Sequence, residues 1–536
     1  MSNFAVRNLK SEMGKVIIIT LAVYFLLLLG ISWLTGVRGG DNGTFFNANR
    51  SSRWYMVAFG MVGASISGVT FISVPGMVLG IQMTYLQMCI GFIFGYFAVA
   101  FLLLPIYYRL RLTTIYTFLL ERIGRRSYKT GASFFLISKM AGAAVRFYIV
   151  CLLLHEYVLS AQGIPFPLTV VIMTGLIWAY TRRGGISTLV ITDSFQTFCI
   201  FLALILIIYN VMSSMGLSVA DAWRMVEDDP ISRVFVFDDF ISRQNFFKQF
   251  ISGIFIVLVM TGLDQDMMQK NLTCKTLREA QKDMCTYGFA FLPANFLFLF
   301  LGVLLVRLAP EYGIDVASLE STDMLLPSFA ATGLLGPAVV VLFTIGIVAA
   351  SFSSADSALT ALTTTCCIDI FEKPDDERLR HRTHIAIAAI FALFIIIFRY
   401  VNSTNAIDAI YTLCSYTYGP LLGLFAYGIL NSGNKTGKTS IGTTDSETFL
   451  SEEIDNIASP QPIDNRNGRP TDSNNRSSSA DKAAPVIAIV SPLLCFTLDT
   501  VSAKFWGYKF GYELLLINGL LTYFMLAIQG KRGLRS

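Results

Sequence analysis

FGMVGASISGVTFISVPG, residues 59–76, is the stretch on which the reading of this chain turns. It lies in an apolar run from about 54 to 80, long enough to cross a bilayer at about 20 residues per span. Gly60, Gly63, Gly68, Pro75 and Gly76 interrupt that run, and Ser65, Ser67, Thr70 and Ser73 add hydroxyls to it. Two physical accounts of the composition stand side by side. Small residues let helices approach closely in lipid. Glycine and proline also let a helix break in mid-membrane, which frees backbone carbonyls to coordinate ions and solutes.

The rest of the 536 residues has the same character, with 54% hydrophobic and only 14% charged, against roughly 25% charged in soluble domains. About thirteen apolar stretches reach spanning length, the first at 16–35 and the last at 509–529, so the expected fold is an all-α integral membrane protein embedded in a lipid bilayer. The formal net charge of +5 is spread over short loops, which speaks against a nucleic-acid partner. The nine cysteines lie mostly within apolar runs, and Cys366 and Cys367 are adjacent, so neither a metal-ligand spacing nor a disulfide framework is expected. Two of the three histidines, His381 and His384, fall in a charged loop. That leaves little material for a histidine metal site or a serine hydrolase. No organic cofactor, enzymatic activity or obligate protein partner is expected.

Orientation follows from the basic residues. Arg109, Arg111, Arg122, Arg125, Arg126 and Lys129, then Arg182 and Arg183, the stretch from Lys270 to Lys282, Lys373 to Arg382 and Lys531 to Arg535 fall on one side, which is read as cytoplasmic. The alternate loops carry Glu227, Asp228, Asp229, Asp238, Asp239, Glu311, Asp315, Glu320 and Asp323. An odd number of spans puts the N-terminus outside and the C-terminus inside a multi-pass protein of the cell membrane, of the inner-membrane type. Arg7, Lys10 and Lys15 would then be external. No small-residue cleavage site follows the first apolar run, so 1–40 is read as a retained leading helix and not as a signal peptide. Residues 431–483 are rich in Asn, Ser, Thr, Gly and Asp, a composition that buries too little apolar area to order itself. They are read as a disordered cytoplasmic linker ahead of two C-terminal helices in 484–536.

Function has to come from polar groups at membrane depth, which are costly in lipid and face a cavity or a partner. In ASFSSADSALTALTTT, residues 350–365, Ala350, Ser353, Ser354 and Ser357 share one helix face, with Asp356 beside them. Isolated hydroxyls bond back to their own helix, but eight Ser/Thr residues and a carboxylate in sixteen positions exceed that use. Asp193 in VITDSFQTF lies roughly 12 Å along its helix from the basic Arg182 end and needs a cation, a proton or a basic partner. Arg146 in KMAGAAVRFYIV sits near mid-span, either as an anchor for a carboxylate or as a counter-ion for Asp193 or Asp356. Lys139, two turns earlier, is expected to snorkel to the cytoplasmic interface.

Taken in order, GASISGVTFISVPG at 63–76, ITDSFQ at 191–196, GLDQDMMQKNL at 262–272 and AASFSSADSALTALTTTCCIDIF at 349–371 resemble the sodium:solute symporter family. The resemblance runs from about 16 to 430. It implies an inverted five-plus-five helix repeat of the LeuT-like kind over 52–430, with 52–215 and 246–430 as the two halves, one leading helix and two trailing ones. It places the principal Na⁺ site on the carbonyls of Gly63, Ile66 and Ala350 and the hydroxyls of Ser353 and Ser354. A second Na⁺ site held by some members falls on Asp193, Asp356 and Ser357. Asp356 stands where a serine is found in those members, so two carboxylates face one site, and a shared proton or a tightly held Na⁺ would offset their repulsion. Similarity to the sialic acid branch implies that Ser65, Ser67, Thr70 and Arg146 bind solute, with Gln87 as a further candidate.

The resemblance therefore implies a sodium-coupled symporter that imports a small organic solute, with a carboxylated sugar such as sialic acid as the nearest case and a neutral sugar or polyol as the alternative. A solute sensor on a transporter scaffold would be expected to carry a cytoplasmic signalling domain, which 431–483 does not resemble. An enzyme would need a nucleophile with its base or a metal cluster, and a channel would be indifferent to Na⁺.

Overall fold

The structure, a computed structural model, describes residues 3–36, 41–160, 163–182, 185–319, 321–401, 415–431, 479–508 and 510–533. Among them the regular elements are helices, and one β-bridge joins Ser52 to Cys274. After the leading helix α1 (Asn3–Gly36), the first stretch comprises α2 (Trp54–Ser65), α3 (Gly68–Ile81), α4 (Tyr85–Ala98), α5 (Arg125–Leu154), α6 (Phe166–Thr181) and α7 (Ile186–Ser214). The second comprises α8 (Phe246–Gly262), α9 (Gln265–Asn271), α10 (Leu277–Leu308), α11 (Pro337–Thr365), α12 (Glu377–Val401) and α13 (Gly419–Leu430). Two helices close the chain, α14 (Ser479–Trp506) and α15 (Leu514–Gly533).

Nine helices among the described residues are long and apolar enough to cross a membrane, or eleven if two bent pairs each count as one span. The stretches expected at 164–181 and 406–430 fall on α6, which has 16 residues, and on α13; residues 406–414 lie outside the described ones. So do residues 432–478 of the expected linker, while the next helix begins at Ser479 and not at 484. Its early start has a cause: the Asp481 carboxylate accepts hydrogen bonds from the Ser127 and Arg126 amides at 2.8 and 3.4 Å. These are among the first amides of α5, which have no partner within their own helix. Helix α12 likewise begins seven residues before the expected 384, and it carries His384 out of the charged loop into the interior. Arg380 and His384, one turn apart and on one face, both turn inward, and the His384 ring lies between the hydroxyls of Thr181 (3.0 Å) and Thr363 (2.9 Å).

The bent pairs are α2–α3, at 60°, and α8–α9, at 71°. Each break opens one of the two stretches. Ser67 leaves the helical region (φ −75°, ψ 169°) and its hydroxyl accepts the Thr70 amide, so α3 starts on a side-chain cap. Asp264 does the same for α9, accepting the Asp266 amide at 2.9 Å. Pro75, which the sequence offers as another breaker, lies inside α3. The glycines of the first pair also serve close packing. A Cβ on Gly63 would lie 1.9 Å from the Thr197 hydroxyl of α7, and one on Gly68 would lie 1.9 Å from the Ser351 hydroxyl of α11. Both accounts of 59–76 therefore hold: the helix breaks, and it breaks while wedged between α7 and α11.

Candidate functional site

The site grows from the gap between α2 and α3. Where a helix stops, the carbonyls of its last turn lose their amide partners. Val62 accepts from the Ile66 amide, Ser65 from the Ser67 amide and Ser67 from the Phe71 amide, each at 3.0 Å. Ala64 accepts from the Ser354 hydroxyl of α11 at 2.9 Å. Among the described residues, none of the hydrogen bonds at the break uses the carbonyl of Gly63 or Ile66. Ser353, beside Ser354, donates its hydroxyl to Asp193 Oδ1 at 2.7 Å. A hydroxyl that has given its proton to a carboxylate or carbonyl keeps its lone pairs, the part of the group a cation uses. The Ser354–Ala64 bond thus joins α11, which also carries Ala350 and Ser353, to the end of α2, which carries Gly63 and leads into Ile66, and the carbonyls of Gly63 and Ile66 are uncommitted as acceptors.

Asp193 and Asp356 take different hydrogen-bond donors. Asp356 accepts from the Tyr180 hydroxyl at 2.6 Å and from Ser357 at 3.2 Å. Asp193 takes Ser353 on one oxygen and the Lys270 ammonium, 2.8 Å away, on the other. Lys270 reads in the sequence as a loop cation on the cytoplasmic side. It is instead 2% exposed, on α9, because the break at Asp264 turns that helix back into the protein. Lys139 does not snorkel either: its ammonium lies 3.1 Å from Asp264 and 2.7 Å from Asp266. A buried ammonium needs such partners, and the second break supplies them.

A cavity of about 130 Å³ adjoins the first break. Ser65, Ser67, Thr70 and Arg146 line it, together with Tyr96, Tyr287, Lys139 and Asp264. Tyr287 is hydrogen-bonded to Ser65 and accepts from the Tyr96 hydroxyl at 2.7 Å. The Tyr418 hydroxyl donates to Asp264 at 2.7 Å. Arg146 is half-buried and has no carboxylate partner among the described residues, since Asp193 is held by Lys270, and Asp264 and Asp266 by Lys139. The counter-ion role that the sequence allowed for Arg146 is filled at Asp193 by Lys270, while Asp356 is hydrogen-bonded to Tyr180 and Ser357. Gln87 lies apart from the cavity lining. Its amide donates to the Gln244 carbonyl at 2.9 Å and its oxygen accepts the Val236 amide at 3.0 Å, so it ties down the loop before α8.

The sequence reading missed Lys270, Lys139 with its two aspartates, and the three tyrosines. A signal existed for the first group. GLDQDMMQK puts Gly262, two aspartates and a lysine at the place in the second stretch that corresponds to 63–68 in the first, and transporter halves repeat their broken helices at corresponding positions. The tyrosines carried no such mark, because an aromatic residue in an apolar run reads as core.

Two broken helices at matching places, with a polar cavity and two uncommitted carbonyls at the first break, define the class of secondary transporters. More narrowly, residues 45–434 match the model of the sodium:solute symporter family, and the chain belongs to that family. It is 26% identical over 428 residues to the sodium-dependent multivitamin transporter of Oryctolagus cuniculus, an alignment covering 76% of this chain and 66% of that protein. To the sodium/sialic acid symporter of Aliivibrio fischeri it is 23% identical over 421 residues, 75% of this chain and 80% of the relative. Among solved structures, the substrate-bound outward-open state of a Na⁺-coupled sialic acid symporter superposes with a TM-score of 0.75 at 17% identity, covering 96% of this chain and 98% of that one. That last likeness is one of fold.

Proposed function

We propose that the protein is a sodium-coupled symporter that imports a small carboxylated organic solute, a carboxylated sugar being the nearest case, by alternating access. The observation that carries the solute class is Arg146, a cation that lines the cavity without an acidic partner among the described residues. Two further features support an anion. Helix α3 starts at the cavity wall with Ser67 and Thr70, so its positive dipole end faces the same space. The hydroxyls of Ser65, Tyr96 and Tyr287 are placed to meet the polar body of a sugar. The A. fischeri relative is itself named for sialic acid.

Na⁺ binds between the carbonyls of Gly63, Ile66 and Ala350 and the hydroxyls of Ser353 and Ser354. It joins α2 to α11 across the break and so fixes the shape of the solute cavity next to it. Solute and ion thereby favour the same arrangement, which is the physical content of coupling. The halves 52–215 and 246–430 move against each other, and the ion leaves toward the basic, cytoplasmic face of the cell membrane.

The driving force depends on net charge. A tenfold Na⁺ gradient contributes about 1.4 kcal/mol per ion, and about 100 mV adds about 2.3 kcal/mol per net charge moved. One Na⁺ with a neutral solute supports roughly 500-fold accumulation, whereas one Na⁺ with a monoanion is electroneutral and supports about tenfold.

The test is uptake into proteoliposomes of carboxylated sugars, neutral sugars and amino acids, each with and without an inward Na⁺ gradient. Gradient-driven uptake of the acids is expected. Equal uptake without Na⁺ would overturn the coupling, and transport of neutral sugars alone would overturn the solute class.

A further inference from the structure

We propose that Lys270 is a built-in cation: its ammonium occupies the place at Asp193 where a second Na⁺ would sit, so the transporter binds one Na⁺ per chain. The inference rests on the sodium site proposed above and fixes its stoichiometry. Asp193 is 1% exposed and Lys270 2%, so neither charge is met by bulk water. The carboxylate has two oxygens and both are engaged. Oδ1 accepts from Ser353, the residue that also faces the proposed Na⁺, and Oδ2 lies 2.8 Å from the Lys270 ammonium.

The contact is a buried ion pair at 2.8 Å, in which the ammonium meets the carboxylate as a compact point charge. That is the service a bound Na⁺ gives a carboxylate. Lysine provides it without being released, because α9 holds its backbone. The charge comes from the second broken helix and the carboxylate from α7, while Ser353 belongs to α11. The pair thus ties three helices around the first ion site with a cation that cannot be used up in the cycle. Asp356, the other carboxylate of the expected second site, accepts hydrogen bonds from Tyr180 and Ser357.

Equilibrium binding of radioactive Na⁺ to the purified full chain, with no solute present, counts the ions directly. One ion per chain with a Hill coefficient of 1 is expected for the wild type. Lys270→Met removes the tethered charge and leaves Asp193 open, so two ions and a Hill coefficient rising toward 2 are expected. Lys270→Met with Asp193→Asn removes both charges and should return the count to one, even if the single variant folds poorly. Two ions on the wild-type protein would overturn the proposal and leave sodium coupling standing. A folded, monodisperse Lys270→Met protein that still binds one ion would also overturn it. No ion on the wild type would overturn the sodium site itself, and this inference with it.

Discussion

Replacing Arg146 with lysine keeps a positive charge in the cavity and removes the planar fork that holds both oxygens of a carboxylate. A charge-assisted hydrogen bond contributes about 1.5–3 kcal/mol, and losing one of two parallel bonds on the acid therefore corresponds to roughly 10- to 150-fold weaker binding. Among the described residues, no other cation of the cavity lining compensates. Lys139 lines the same cavity but is committed to Asp264 and Asp266, and Lys270 to Asp193. Stability should hardly change, because Arg146 has no acidic partner to strand among the described residues. The assay is Na⁺-dependent uptake of a carboxylated sugar and of its neutral amide by wild type and Arg146→Lys, read as apparent KM for each. The wild type should prefer the acid strongly, and the variant should lose most of that preference with maximal rate little altered. Arg146→Ala is less informative, since it removes side-chain volume together with the charge. Equal affinity for acid and amide in both proteins would refute the anchor role and point to neutral solutes.

Ser353→Ala with Ser354→Ala should raise the Na⁺ concentration for half-maximal uptake by tenfold or more, on the order of 1.4 kcal/mol, while melting behaviour in detergent changes less; unchanged Na⁺ activation would remove the site. Lys139→Met strands Asp264 and Asp266 in the interior, a loss of about 3–5 kcal/mol, and should cut the yield of folded protein; adding Asp264→Asn and Asp266→Asn should recover it, as size-exclusion profiles would report. Asp481→Ala removes an acceptor from the first amides of α5 and should cost about 1 kcal/mol, seen as a lower unfolding temperature without a change in KM. At the basic face, hydrogen bonding from Lys129 holds the Glu372 carboxyl below its ordinary value, with Arg125 assisting. This stabilisation is present above the unfolded value, about 4.3, and is lost as pH falls through the lower folded one. Because Glu372 is exposed, less than about 1 kcal/mol is at stake, and Glu372→Gln should remove that part of the acid sensitivity.

What the sequence by itself determined is whatever depends on composition and spacing along one segment. Apolar runs of spanning length mark membrane helices because lipid satisfies no backbone polar group. The glycines and hydroxyls of 59–76 and the serine face of 350–365 are local patterns, and in the fold they do meet, through Ser354 and Ala64. What only the tertiary structure decided is which charge answers which. Lys270 and Lys139 look like loop or interface cations until the break at Asp264 folds α9 inward, and Arg146 reads equally as an anchor or a counter-ion until those lysines are seen beside Asp193, Asp264 and Asp266. Asp193 and Lys270 are 77 residues apart, and Lys139 and Asp264 are 125 apart. In a low-dielectric interior each buried charge needs a partner, but a linear sequence states only that need. Helix packing selects the partner.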